Sequence, residues 1–242
     1  MKRLKAALQF ITILPVGKSA DFRPDQMIPL FPVVGLIIGA LLALVDSFLT
    51  RIWPNPVVAV LDVLCLVAVT GAFHIDGLGD AADGLFSHRP RERILEIMKD
   101  SRLGTMGIVA IISALAVKWA GIGAITDHRL LALIIVPAYA RASMIFGIRF
   151  LKYGRPQGGR GADFFSTPLP LSSFGWFLVP VFISFFIGIR CFLLNAVFAG
   201  TVAGILFFYQ RKLNCITGDM LGAMAEVTEA VLFLTLAAGS GL

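Results

Sequence analysis

Apolar residues in this chain fall in long blocks, not in alternating or stripe-like positions. Runs near 30–49, 57–75, 106–125, 130–151, 173–190, 194–209 and 219–239 are dominated by Leu, Ile, Val, Phe, Ala and Gly. About 20 such residues let a helix cross the ~30 Å hydrocarbon core of a bilayer. A spanning segment must also satisfy its own backbone, so each block is expected to be helical. The block at 194–209 is short, and the last three have the least defined ends. The pattern predicts an all-α fold: a polytopic membrane helical bundle of about six to seven transmembrane helices, in one domain over 1–242. Met1 to Val16 carries Lys2, Arg3 and Lys5 ahead of an apolar run ending at Pro15, and no small-x-small cleavage site follows. It reads as an uncleaved amphipathic or re-entrant N-terminal segment.

Composition agrees. The 242 residues are 57% hydrophobic and 15% charged, with a mean hydropathy of +0.86, whereas soluble domains carry about 25% charged residues. Cys65, Cys191 and Cys215 are scattered, with no CxxC pair, and suggest neither a disulfide framework nor a zinc site. The net charge of +6 could point to nucleic acid, but its distribution points to the bilayer. With the N-terminus in the cytoplasm and seven crossings, 15 Lys and Arg fall inside, in 1–29, 76–105, 152–172 and 210–218; only Arg51, Arg129 and Arg190 fall outside. That is the positive-inside bias. A lipid bilayer is the expected partner, nucleic acid is not, and polar sites should face the cytoplasm.

Three polar stretches interrupt the apolar blocks: 74–105, a Gly- and Pro-rich loop at 152–172 expected over the bundle mouth, and 217–229. Charged chain at membrane depth persists where it lines a cavity or packs on protein. In HIDGLGDAADG, Asp76, Asp80 and Asp83 stand at i, i+4 and i+7, one face of a helix. Three like charges there are tolerable around a divalent cation, and oxygen ligands of this kind suit Mg²⁺. Gly77, Gly79 and Gly84 leave room for a phosphate to approach. The alternative is a solvated helix face.

Asp219, Glu226 and Glu229 form a second acidic set in the last block. Carboxylates inside a span call for a named partner: either the metal, or Arg141 about 15 Å inside the fourth span at 1.5 Å per residue. A purely structural Glu–Arg pair is the competing reading. His74 is either a hydrogen-bonded helix-end residue or a substrate contact. Lys99 and Arg102, beside Ser101 and Gly104, suit a diphosphate, since Arg offers a bidentate fork. Arg89, Arg91 and Arg93 are assigned to the positive-inside bias. Arg149 and Lys118 are expected to snorkel.

The run GAFHIDGLGDAADGLF resembles the signature of the cobalamin synthases, the adenosylcobinamide-GDP ribazoletransferases. FITILPV (10–16), IMKDSRLGTMG (97–107), PAYAR (137–141) and TGDMLGAMAEVTE (217–229) match in the family's order across nearly the whole chain. The resemblance implies a membrane-bound, Mg²⁺-dependent transferase in the cell (inner) membrane. Its substrates would be adenosylcobinamide-GDP and α-ribazole or its 5′-phosphate, and GMP would be the leaving group. With that chemistry, Asp76, Asp80 and Asp83 would hold Mg²⁺, and Asp83 or Glu226 would accept the nucleophile's proton. His74, Lys99, Arg102, Arg141, Asp219 and Glu229 would contact substrate. Whether the chain forms a homo-oligomer is open to the sequence. CDP-alcohol phosphotransferases and aromatic prenyltransferases are less favoured, because their acidic motifs are spaced differently. A transporter is less favoured because no internal repeat is visible.

Overall fold

The computed structural model describes residues 2–18, 22–100, 102–155 and 161–238. Within them the helices are α1 (Lys2–Ile11), α2 (Pro24–Met27), α3 (Phe31–Leu49), α4 (Asn55–Val69), α5 (Phe73–Leu85), α6 (Arg91–Ile97), α7 (Thr105–Ala124), α8 (Arg129–Phe150), α9 (Leu178–Ser184), α10 (Arg190–Lys212) and α11 (Gly218–Ala237). Short 3₁₀ turns flank α3 and α9. The fold is an all-helical, multi-pass membrane architecture. Five helices are long and apolar enough to cross a membrane, six if α4 and α5 count as one bent span. The short block at 194–209 belongs to the full-length helix α10, whose outward face exposes Phe192, Leu193 and Phe207 to the surroundings.

Two expected spans take other forms. The run at 57–75 breaks at Gly71 and Ala72, both left-handed with φ of 59°. α5 therefore leaves α4 at 88° and lies across the end of the bundle. A side chain at Gly71 would also strike Ile13 of the N-terminal segment, whose backbone N–H donates to Val69 O at 2.9 Å. The run at 173–190 folds as 3₁₀ and α pieces over Leu171–Ile187. At about 2.0 Å per 3₁₀ residue and 1.5 Å per α residue, these 17 residues reach about 30 Å. They run from the end of the bundle that holds Tyr153 to the end that holds Asp127, where Arg190 pairs with Asp127 at 3.2 Å.

α8 is the axis of the bundle, buried along almost its whole length. α3 lies against it through Gly35 and Gly39, where any Cβ would collide with the backbone at Pro137 and Ile134. Small residues four apart are the usual device for bringing two membrane helices into backbone contact. The amphipathic α1 buries Ala6, Ala7, Leu8 and Ile11. Phe10, at its end, packs against Phe31, Phe73 and Phe164, which closes the bundle on the side where α5 lies.

Candidate functional site

Four segments converge at that end: α5, the strand-like piece 152–155, the N-terminus of α11, and the turn after α6. A parallel bridge joins Tyr153 to Ile216. Gly154 N donates to Ile216 O and Ile216 N to Lys152 O, both at 2.9 Å. Gly77 lets α5 ride on the first turn of α11, because a Cβ there would stand 2.9 Å from Asp219 O. These contacts bring Asp219 into the field of Asp76, and both into that of Asp80. Asp76 is exposed, while Asp80 and Asp219 are half-buried. Arg155 answers the negative charge: its Nη2 donates to Asp219 at 2.5 Å and to Met98 O at 3.1 Å. Beside them is a cavity of about 200 Å³ whose walls include Asp76, Asp219, Tyr153, Arg155 and Phe164.

Asp83, placed by sequence on the same acidic face, has another partner. Its carboxylate accepts the backbone N–H groups of Gly104 at 2.6 Å and Gly107 at 2.8 Å. α7 has no capping side chain of its own, so an aspartate from α5 supplies one across space. A Cβ at Gly104 or Gly107 would run into that carboxylate. The expected cage of Asp76, Asp80 and Asp83 is thus not formed: among the described residues no three His, Cys, Asp or Glu are placed to hold a metal ion. The chemistry of the remaining donors still fits Mg²⁺, which ordinarily takes one or two carboxylates and completes its shell with water and substrate phosphate. Asp76 and Asp80 would be those two.

Glu226 and Glu229 lie further along α11 and are buried. Lys118 Nζ donates to Glu226 at 2.6 Å and to Glu229 at 2.5 Å, and Arg141 completes the group with an ion pair to Glu229. Each of the four is at most 4% exposed. Two cations and two anions sum to zero, the condition under which ionised groups persist in a low-dielectric interior. Three expectations change here. Lys118 does not snorkel, because the two glutamates hold it in the core. Arg141 is committed to Glu229, the structural pairing weighed against a phosphate contact. Glu226, expected as a possible proton acceptor, is bound to Lys118 and buried. His74 is fully buried near this group, and among the described residues neither ring nitrogen has a hydrogen-bond partner. It packs on Gly222 at the α5–α11 crossing and does not reach the cavity wall.

The basic residues of the α6–α7 turn also lie apart from the cavity. Lys99 is exposed. Arg102 binds Asp100 through its Nη2 at 2.6 Å and holds that carboxyl down at about 2. Ser101 lies outside the described residues, as does 156–160 of the loop expected over the mouth. Sequence reasoning passed over two features. Arg155 carries no periodic signal in KYGRP, and only the Tyr153–Ile216 bridge brings it to the acids. At the opposite end, Arg129 donates to Asp46 at 2.6 Å and to Asp62 at 3.1 Å. Asp46 and Asp62 sit within apolar runs, a position that already called for a named partner.

Comparison with known proteins gives this arrangement a family. The family model described as cobalamin-5-phosphate synthase matches residues 3–237. The adenosylcobinamide-GDP ribazoletransferase of Clostridium novyi (strain NT) is 34% identical, over 100% of this chain and 98% of its own length. Those of Geotalea daltonii and Syntrophobacter fumaroxidans are 36% and 38% identical, over 97% and 96% of this chain and 96% of each relative. No solved structure matches. The match runs unbroken through α5, the 152–155 segment and α11, all the elements that build the acidic end, and the chain belongs to the cobalamin-5-phosphate synthase family.

Proposed function

We propose that this protein transfers the cobinamide-phosphate moiety of adenosylcobinamide-GDP to the 5′-hydroxyl of α-ribazole, or of α-ribazole 5′-phosphate. The products are adenosylcobalamin, or its 5′-phosphate, and GMP. The observation that carries the reading is the meeting of Asp76, Asp219 and Arg155 at one cavity, with Asp80 in their electrostatic field, in a chain whose full-length relatives bear that enzyme's name. The acceptor oxygen attacks the phosphorus on the cobinamide side. The bond from that phosphorus to the bridging oxygen breaks, GMP leaves with the oxygen, and the hydroxyl proton passes to a carboxylate.

Such a transfer needs positioning and charge neutralisation more than covalent help. Asp76 and Asp80 would hold Mg²⁺, whose chemical contribution is to offset charge on the diphosphate oxygens. Asp80, in the field of Asp76, Asp219 and Arg155, takes the role of proton acceptor in place of Asp83 and Glu226. A cavity of about 200 Å³ is below the usual size of a whole-ligand site. It takes the diphosphate, and the corrinoid stays outside. The acidic end faces the cytoplasm of the cell membrane in this reading, as the Lys and Arg distribution requires.

The test is GMP release by the purified protein from adenosylcobinamide-GDP, with and without α-ribazole and Mg²⁺. Release that needs all three is expected, and Asp80→Asn should lower it at least a hundredfold, typical of losing a general base. GMP release that ignores α-ribazole would refute the reading, as would turnover only with a CDP-alcohol or prenyl diphosphate donor.

A further inference from the structure

Two polar atoms beside the cavity are incompletely satisfied among the described residues. The Arg155 Nε–H and the Tyr153 hydroxyl are buried in side chains that interact with each other, but neither atom makes a hydrogen bond of normal geometry to a described residue. A buried donor left unmade carries a full desolvation cost, and the two residues carrying them belong to the wall of one cavity. The Arg155 fork is half used, with Nη2 on Asp219 and Met98 O and the Nε edge turned to no described acceptor at normal geometry. Burial pushes the Tyr153 hydroxyl above its ordinary range, so it stays a protonated donor at neutral pH. Two convergent donors, one of them charged, call for an anionic oxygen.

We propose that Tyr153 and Arg155 form the anion-reading half of this site, a clamp that hydrogen-bonds the substrate's diphosphate oxygens in the cavity whose wall also carries Asp76 and Asp219. The inference deepens the transferase reading and rests on it for the identity of the diphosphate. It gives the segment 152–155 a role that sequence had assigned to Lys99, which is exposed, and to Arg102 and Arg141, which are paired with Asp100 and Glu229. It also explains why a guanidinium stands among the aspartates: the same group that balances Asp219 presents its second edge to the ligand.

The test uses the full-length protein in detergent at fixed Mg²⁺, with calorimetric titration of inorganic pyrophosphate, GDP and guanosine. Tyr153→Phe removes only a hydroxyl that makes no hydrogen bond of normal geometry to a described residue, so its thermal midpoint should stay close to the parent's. Its affinity for pyrophosphate and GDP should fall about fivefold, the worth of one hydrogen bond. Arg155→Lys keeps a cation for Asp219 but lacks the Nε–H donor, and a loss of about tenfold or more is expected. In turnover both variants should raise KM for adenosylcobinamide-GDP more than they lower kcat. Parent-like binding of pyrophosphate by both variants overturns the clamp. So does a parent that binds neither pyrophosphate nor GDP, or an equal weakening for guanosine. A parent that binds pyrophosphate through these residues yet releases no GMP would leave the clamp standing and overturn the transferase reading instead.

Discussion

Lys118, Arg141, Glu226 and Glu229 show what a single side chain contributes when it cannot reach water. None of the four can be removed alone without stranding a charge. Glu229→Gln leaves Arg141 without a carboxylate and Lys118 with one, and should lower stability by about 3–5 kcal/mol, the range for breaking a buried pair. Thermal unfolding in detergent would read it. The double variant Lys118→Met with Glu226→Gln removes one charge of each sign and should cost clearly less than the sum of its two single changes; strict additivity would show that the group is not electrostatically coupled. His74, Glu226 and Glu229 stand in the motifs that carry the family resemblance, but their contacts are with the core, not with the cavity.

At the scale of elements, the informative junction is α5 against α7. α5 exists as a separate, crosswise helix because Gly71 and Ala72 turn the chain through 88°, and it is fixed in place by handing Asp83 to the bare N-terminus of α7. Asp83→Ala should therefore cost about 1–2 kcal/mol, as loss of a helix cap does, and speed hydrogen exchange at Gly104 and Gly107. Asp83→Asn keeps one acceptor oxygen and should recover part of that loss. The contrast with Asp80→Asn separates the roles: the Asp80 change should abolish turnover at unchanged thermal midpoint, while the Asp83 changes act through stability. Wild-type stability in Asp83→Ala together with lost Mg²⁺ dependence would restore Asp83 as a metal ligand.

At the scale of the whole molecule, the two ends are built on different terms. The acidic end keeps an excess of carboxylates beside a cavity, whereas the opposite end encloses Asp46 and Asp62 around Arg129, which also donates to Ile122 O. That cluster ties α3, α4, α7 and α8 together far from the site. Arg129→Met strands two buried carboxylates and should cost about 3–5 kcal/mol while leaving KM for adenosylcobinamide-GDP unchanged at temperatures where the protein is folded. A KM shift as large as that of Tyr153→Phe would mean the ends are mechanically coupled.

The sequence by itself determined the class of fold, because apolar blocks of spanning length admit only helices in lipid. It also located the acidic end, because Asp76, Asp80 and Asp219 interrupt those blocks where charge is costly. It could not decide which charges meet. Helical spacing put Asp83 with Asp76 and Asp80, but a neighbouring helix with unpaired N–H groups claimed it. Apolar context suggested that Lys118 reaches for the interface, but two glutamates on α11 lay closer than water. Arg155 looked like one basic loop residue among several until the backbone bridge at 153 and 216 carried it to Asp219. Pairing of charges depends on which helices touch and at what height, and that is set by glycine contacts, the α4–α5 bend and the path of 171–187, all properties of the folded chain.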